Sequence, residues 1–423
     1  MEISATGALI GLIVAIILIV YKFNAAYSLM FGAFLGGLLG GVGSLIDRLP
    51  ATVGLMIDGA REITPATLRI IAAGVLAGVL IESGAAARIA LTITKIFGDR
   101  FSLFALALAT MLLTTAGVFI DISVITVAPI ALVVAKKTGV SRNCVLLAMI
   151  GGGKCGNLIS PNPNTIATAT EFKVDLSRLM AANLLPAVVG LLFTVVLTSV
   201  LTKRGELVTD ADDVDRRQLP SVFTAILGPL VAISLLALRP LCGITVDPLV
   251  ALPVGGLVGC FAMGKFDRIR EYMNVGLGKM AGVAILLLGT GTLAGIIKAS
   301  AFKTVLIDVV QFCGLPGELL APISGIVMSA ATASTTAGAT VASQTFSGTL
   351  LAMGLTPLAA AAMVHAGATV LDHLPHGTFF HATGGAVGMN ISDRLKLVPY
   401  ESLIALVLTI TSTLLYAWSK TIH

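Results

Sequence analysis

Four polar interruptions break the apolar runs of this 423-residue chain, and each carries side chains able to hold an anion or a proton. The first is Asp121, within Gly117-Val-Phe-Ile-Asp-Ile-Ser-Val. A carboxylate at bilayer depth is costly unless it faces a cavity or a partner, so such a residue is a functional candidate by default. It could take up a coupling proton, or act as a cap or as a partner for Lys154. The second is Gly151-Gly-Gly-Lys-Cys-Gly-Asn-Leu-Ile-Ser-Pro-Asn-Pro-Asn-Thr165, where two prolines forbid regular helix. Its Asn157, Ser160, Asn162, Asn164 and Thr165 can donate to carboxylate and hydroxyl oxygens, and Lys154 supplies positive charge. A plain surface turn is the alternative, but a turn needs no run of glycines, so a re-entrant tip between two apolar spans is expected. The third is Thr332-Ala-Ser-Thr-Thr-Ala-Gly-Ala-Thr340, whose Ser334, Thr335 and Thr336 repeat the hydroxyl set of the second. Helix packing through small residues is its alternative reading. The fourth is Asp372-His-Leu-Pro-His-Gly-Thr378. Its Asp372, His373 and His376 suit proton coupling, because histidine titrates near physiological pH, and Thr378 adds a hydroxyl. Metal binding is the rival there, but no zinc spacing is present, so neither a metal nor a cofactor is expected. His365, on an apolar stretch nearby, reads as packing.

An interrupted helix in a bilayer frees backbone N–H and C=O groups, which are tolerated only inside protein or beside a water-filled cavity. Freed N–H groups at a half-helix start attract an anion. The four interruptions are therefore where an anion site is expected. No nucleophile–base pair and no phosphate-binding loop occur, so catalytic residues and ATP are not expected.

The elements that must position these residues are membrane helices. Hydrophobic residues make up 56% of the chain, charged residues 12%, and the mean hydropathy is +0.99. A soluble domain is usually about a quarter charged, and a helix crosses the hydrocarbon with about 20 apolar residues. Aromatics are only 5%, against the aromatic girdles of an outer-membrane barrel. The net charge of +5 lies mostly at segment ends, without an arginine-rich arm, so nucleic acid is not an expected partner. Cys144, Cys155, Cys242, Cys260 and Cys313 form no CxxC pair and read as small buried hydrophobes. The N-terminus lacks a basic signal region and reads as a retained first span.

Apolar runs at 6–21, 25–46, 68–81, 101–120, 179–201, 221–238, 249–263, 281–297 and 402–418, with the broken segments, predict ten to twelve crossings. The polar stretches 47–64 and 265–279 read as amphipathic, the former lying in the interface. Residues 1–201 form one repeat, 202–219 a solvated linker and 220–423 a second repeat. Gly74-Val-Leu-Ala-Gly78 matches Gly291-Thr-Leu-Ala-Gly295, and the order of amphipathic stretch, broken span and polar tip recurs at a spacing of about 215 residues. The expected fold is an all-α polytopic bundle of two inverted-topology repeats with re-entrant hairpins and broken helices. That is the pattern of a secondary transporter with its site at the repeat interface.

Several of these motifs resemble the gluconate permease family of the ion transporter superfamily. The resemblance spans nearly the whole chain: Gly78-Val-Leu-Ile-Glu-Ser-Gly-Ala-Ala-Ala-Arg-Ile, the proline-rich tip Ser160-Pro-Asn-Pro-Asn-Thr165, the stretch 330–341, and Leu371-Asp-His-Leu-Pro-His-Gly-Thr378. It implies a cation-coupled, usually proton-coupled, symporter of sugar acids and related hydroxy acids. It also implies a homodimer with a scaffold domain and a mobile substrate domain, in a bacterial inner membrane. Asp121 stands where that family often has Glu, and Ser160-Pro-Asn-Pro-Asn replaces a Pro-Pro-x-Pro-Gly tip. Lys154 is an additional cation, which suggests a more highly charged acid such as a di- or tricarboxylate. The expected function is symport of a small organic anion with a proton. A sodium-coupled di- or tricarboxylate carrier and a membrane-embedded enzyme are the alternatives.

Overall fold

A computed structural model describes residues 3–202, 205–209, 219–312, 316–375 and 377–417. His376, Cys313 and most of the 202–219 linker lie outside the described residues. The described chain is helical throughout, and its helices fall into two matching series. The first comprises α1 (Ala5–Val20), α2 (Ala25–Gly40), α3 (Leu45–Glu82), α4 (Ala85–Phe97), α5 (Ser102–Thr115), α6 (Ile120–Thr138), α7 (Arg142–Leu158), α8 (Pro163–Glu171), α9 (Leu176–Ala182) and α10 (Leu184–Val200). The second repeats that order: α11 (Val222–Cys242), α12 (Pro248–Ala262), α13 (Ile269–Lys298), α14 (Phe302–Phe312), α15 (Leu320–Thr332), α16 (Thr335–Ala352), α17 (Pro357–Gly367), α18 (Thr378–Ala386), α19 (Ile391–Leu395) and α20 (Val398–Ala417).

The packing obeys the same two-fold relation. α3 packs on its counterpart α13 and α10 on α20, while α2 packs on α13 as α12 packs on α3, and α8 packs on α16 as α18 packs on α6. Glycines make the central pair possible. A Cβ on Gly59 would stand 2.1 Å from the Gly291 carbonyl oxygen, and one on Gly276 1.9 Å from that of Gly74. Gly59 corresponds to Gly276 as Gly74 does to Gly291, so both close approaches are the same contact seen from either repeat. Small residues let membrane helix backbones meet where lipid offers no hydrophobic driving force.

This crossing also explains two departures from the sequence reading. Residues 47–64 are not a separate segment. They are the first half of the continuous 38-residue α3, with Thr52, Gly59 and Ile63 buried. Residues 265–279 likewise run into α13, a helix of 30 residues. Both polar segments are held in helix by the glycine-lined contact that their spacing permits.

By length and composition, Leu45–Glu82, Arg142–Glu171, Phe266–Lys298 and Ile391–Ala417 can each cross a membrane, as can two bent pairs if each is one span. Ala85–Phe97 with Asp99–Thr115 bends by 108°, and Leu176–Ala182 with Leu184–Val200 by 41°. Six further apolar helices have 10–17 residues. Together with the four long helices and the two bent pairs, they supply the apolar segments of a multi-pass membrane bundle. Of the cysteines, Cys144, Cys155 and Cys260 are buried, whereas Cys242 is exposed at the end of α11.

Candidate functional site

The interruption between α7 and α8 is held by its own amides. Asn157 Oδ1 accepts from Asn162 Nδ2 at 2.6 Å and from Asn164 Nδ2 at 2.9 Å, and Asn162 Nδ2 also donates to the Asn157 carbonyl at 2.8 Å. Asn162 Oδ1 caps α8 by accepting from the backbone N–H and the hydroxyl of Thr165, both at 3.1 Å. Pro163 occupies the first turn, where its missing N–H costs nothing. Arg142–Glu171 together form one 30-residue span, so residues 159–162 interrupt the span rather than end it. Every residue of this tip is buried, which leaves Asn157 Nδ2 and the Ser160 hydroxyl without a hydrogen-bond partner among the described residues.

Between α15 and α16 the chain turns at Ala333, whose φ of 45° is left-handed, and Ser334 then caps α16 by accepting from Ala337 N–H at 3.3 Å. Thr336 donates to Asn164 Oδ1, joining the second and third interruptions. Thr335 donates to Asp372 Oδ2 at 2.5 Å, joining the third to the fourth.

Asp372 is also the ion-pair partner of Lys154. Lys154 Nζ donates to the Thr369 carbonyl at 2.5 Å and lies 3.3 Å from His373 Nδ1. Lys154 and Thr369 stand 215 residues apart, the repeat spacing itself, so this pair bridges equivalent positions of α7 and the segment after α17. His373 Nδ1 lies 3.0 Å from Asp372 Oδ1, and Nε2 lies 3.0 Å from the Val398 carbonyl and 3.1 Å from the Ser402 hydroxyl. Glu401 Oε2 is 4.0 Å from His373 Nδ1, and Glu401 pairs with Arg394. Arg394 lies over Phe380 at 4.8 Å and donates to the Thr383 hydroxyl at 3.1 Å. Lys154, Asp372, His373, Glu401 and Arg394 thus form one buried chain of alternating charge around an imidazole. Buried charges are supportable only when paired in this way.

A cavity of about 330 Å³ opens beside this chain. It is within the range of small-ligand sites, at the low end. Of the residues singled out in the sequence, Asp121, Asn157, Asn164, Ser334, Thr335, Thr336, Asp372 and Thr378 line it. Lys154, Ser160, Asn162, Thr165 and His373 do not: they lie behind the wall, where Lys154 is spent on Asp372, and Asn162 and Thr165 on capping α8. Phe119 and Phe379 add apolar surface, and α13 contributes Lys279, Gly282, Val283 and Leu286.

Sequence reasoning missed Lys279, Glu401 and Arg394. Glu401 is the one acidic residue of the apolar helix α20, a signal that the rule for intramembrane charges would have caught. Lys279 gave no such signal, because it sits among the polar residues at the start of α13. His365 is fully buried, and neither ring nitrogen has a hydrogen-bond partner among the described residues.

The face of α3 equivalent to this opening carries ion pairs beside a second cavity of about 260 Å³, lined by Arg69, Thr170 and Asp247. Lys298 Nζ reaches Glu62 Oε2 at 2.6 Å and Glu171 Oε1 at 3.1 Å, and Ser347 donates to Glu171 at 2.9 Å. Arg69 reaches the Thr170 hydroxyl at 3.2 Å and forks onto Asp247, at 2.8 Å from NH2 and 3.0 Å from Nε. Asp247 lies in the loop before α12, and the Arg69 hydrogen bonds hold its carboxyl below the usual carboxylate range. The end of α8 is therefore tied to α13 by an ion pair and to α3 by a hydrogen bond, while the candidate cavity opens beside α13.

With this geometry in view, the comparisons with known proteins are consistent. The family model described as "GntP family permease" matches residues 3–419. An "uncharacterized transporter" of Haemophilus influenzae is 57% identical over 420 residues, covering 99% of each chain. The "Gnt-II system L-idonate transporter" of Escherichia coli is 24% identical over 321 residues, 69% of each. Among solved structures, the YdaH transporter of Alcanivorax borkumensis, described as having an unusual topology, superposes with a TM-score of 0.69 at 17% identity, over 96% of this chain and 98% of that one.

Proposed function

Because this chain belongs to the GntP family of permeases, and so is a multi-pass membrane transporter rather than an enzyme, we propose that it carries a small hydroxylated organic acid across a bacterial inner membrane by symport with protons. The observation that supports this best is the placement of the cavity. It lies where the polar interruptions of the two repeats converge, and one of its walls is Asp372, a member of the buried Lys154–Asp372–His373–Glu401–Arg394 chain. Amide and hydroxyl groups of Asn157, Asn164, Ser334, Thr335, Thr336 and Thr378 suit the hydroxyls of a sugar acid. The L-idonate transporter named among the relatives carries a substrate of that class.

The surroundings of His373 support the proton reading. The Val398 carbonyl can only accept, so Nε2 carries the proton and Nδ1 of the neutral ring accepts from Lys154. A second proton enters at Nδ1. The imidazolium then donates to Asp372 Oδ1 and competes with Lys154 for that oxygen, so a proton arriving behind the wall changes the hold of Asp372 on Thr335 at the cavity. Alternating access would exchange the cavity beside α13 for the ion-paired face beside α3, with the two repeats trading roles.

Purified protein in proteoliposomes tests this. An inward pH gradient should drive accumulation of D-gluconate or L-idonate above equilibrium, and His373→Gln should abolish accumulation while exchange of intact solute persists. Accumulation that needs sodium and ignores the pH gradient would leave a carrier but end the proton reading.

A further inference from the structure

Two cations were candidates to receive the substrate carboxylate, and their positions separate them. Lys154 is fully buried behind the cavity wall and committed to Asp372 and the Thr369 carbonyl. Lys279, from α13, is the one cationic side chain lining the cavity among the described residues, and it forms no ion pair there. Across the cavity from it, on α6, stands Asp121, near enough for the two charges to interact but joined to it by no ion pair. On the same cavity, the buried amide donor Asn157 Nδ2 also lacks a partner. A cation and a donor, both unspent and lining one cavity, form half of a recognition site whose other half is an anion with hydroxyls.

The repeat relation sharpens the assignment. By the spacing that pairs Gly74 with Gly291, Lys279 corresponds to Glu62, and Glu62 is paired with Lys298 in the Lys298–Glu171 cluster beside α8. The same two-fold position therefore holds a paired carboxylate in one repeat and an unpaired ammonium, at the cavity, in the other. A cation held in reserve at a mouth attracts anions and rejects neutral and cationic solutes.

We infer that Lys279 is the residue that selects for the substrate's carboxylate, receiving it at the open face in exchange for its long-range attraction to Asp121. This rests on the anion-carrier reading, and the test keeps the two apart. The probes are D-gluconate and its neutral isostere D-gluconamide, each competing against labelled solute exchange in proteoliposomes. The first measurement is wild-type exchange with D-gluconate and L-idonate; if the wild type exchanges neither, the carrier reading itself fails and this inference with it.

If exchange occurs, the wild type should prefer gluconate to gluconamide by about tenfold or more, the yield of one charge-assisted hydrogen bond. In Lys279→Gln that preference should fall to near unity, with KM raised and the maximal exchange rate within about threefold, and Lys279→Arg should restore the preference. Lys279 is exposed, so its loss leaves no cavity in the packing. A Lys279→Gln protein that exchanges solute with the wild-type preference intact would overturn the assignment. So would a Lys279→Gln protein whose exchange is lost although Asp121→Asn, which removes the opposing charge, leaves exchange and preference unaltered.

Discussion

Removing the ammonium of Lys154 should destabilise the protein far more than it alters what is transported. Lys154 is 0% and Asp372 2% exposed. Lys154→Met keeps the apolar volume and leaves Asp372 with the Thr335 hydroxyl as its remaining donor. Breaking a buried pair from one side costs roughly 3–5 kcal/mol, because the surviving charge has lost its solvation and its counter-ion together. One surviving donor offsets only part of that cost, so the expected loss stays within that range. The double variant Lys154→Met/Asp372→Asn removes both charges, so it should recover most of the stability, within about 1–2 kcal/mol of wild type. Thermal unfolding in detergent, run as a double-mutant cycle, reads this as a large favourable coupling between the two positions. If the single variant loses less than about 1 kcal/mol, as an exposed pair would, or if the double variant loses the sum of the singles, the buried-pair account is refuted. Since Lys154 does not line the cavity, any folded fraction of Lys154→Met should keep the wild-type preference between mono- and dicarboxylates. The di- or tricarboxylate expectation drawn from Lys154 in the sequence then loses its basis.

Other perturbations have signs that can be worked out in the same way. Gly276→Ala puts a methyl 1.9 Å from the Gly74 carbonyl oxygen and should cost about 1–3 kcal/mol, whereas Gly278→Ala meets nothing within 4 Å and should be neutral or slightly stabilising; thermal unfolding of the pair checks this. Glu171→Gln weakens the clamp on α8, and a shift of about 1 kcal/mol toward the opposite-facing state corresponds to about fivefold in population. Labelling of a Ser343→Cys thiol by a membrane-impermeant maleimide should accelerate by that factor. Asp247 is held below its unfolded value of about 3.9 by Arg69, so its contribution is present above that pH and lost as pH falls through the folded value. Acid unfolding of Asp247→Asn should therefore show a shallower loss of stability below about pH 4, with no change at neutral pH beyond the loss of the ion pair itself.

How far the site could be read from the chain follows from the range of the forces involved. Apolar run length is a local property set by bilayer thickness, so the spans, the four interruptions and the doubling of the motif order were all legible, and Asp121, Asn157, Thr335 and Asp372 were singled out and do line one cavity. What a charged side chain faces is not local. Lys154 and Asp372 are 218 positions apart, and whether that ammonium is offered to a ligand or spent on a carboxylate depends on how α7 and the segment after α17 meet across the two-fold. Residues 47–64 were read apart from the span that follows for a related reason: their polarity set them off, but they continue into one helix that Gly59 brings onto Gly291. Lys279 escaped notice because nothing in its neighbours separates a cavity-facing lysine from an interfacial anchor. Composition, periodicity and internal repetition thus determined that this chain folds as a two-fold membrane bundle with polar breaks, since each residue's preference for lipid or water is its own. Only the tertiary structure decided which breaks share a cavity, which charges cancel and which remain free, because pairing is a property of two residues that packing alone brings together.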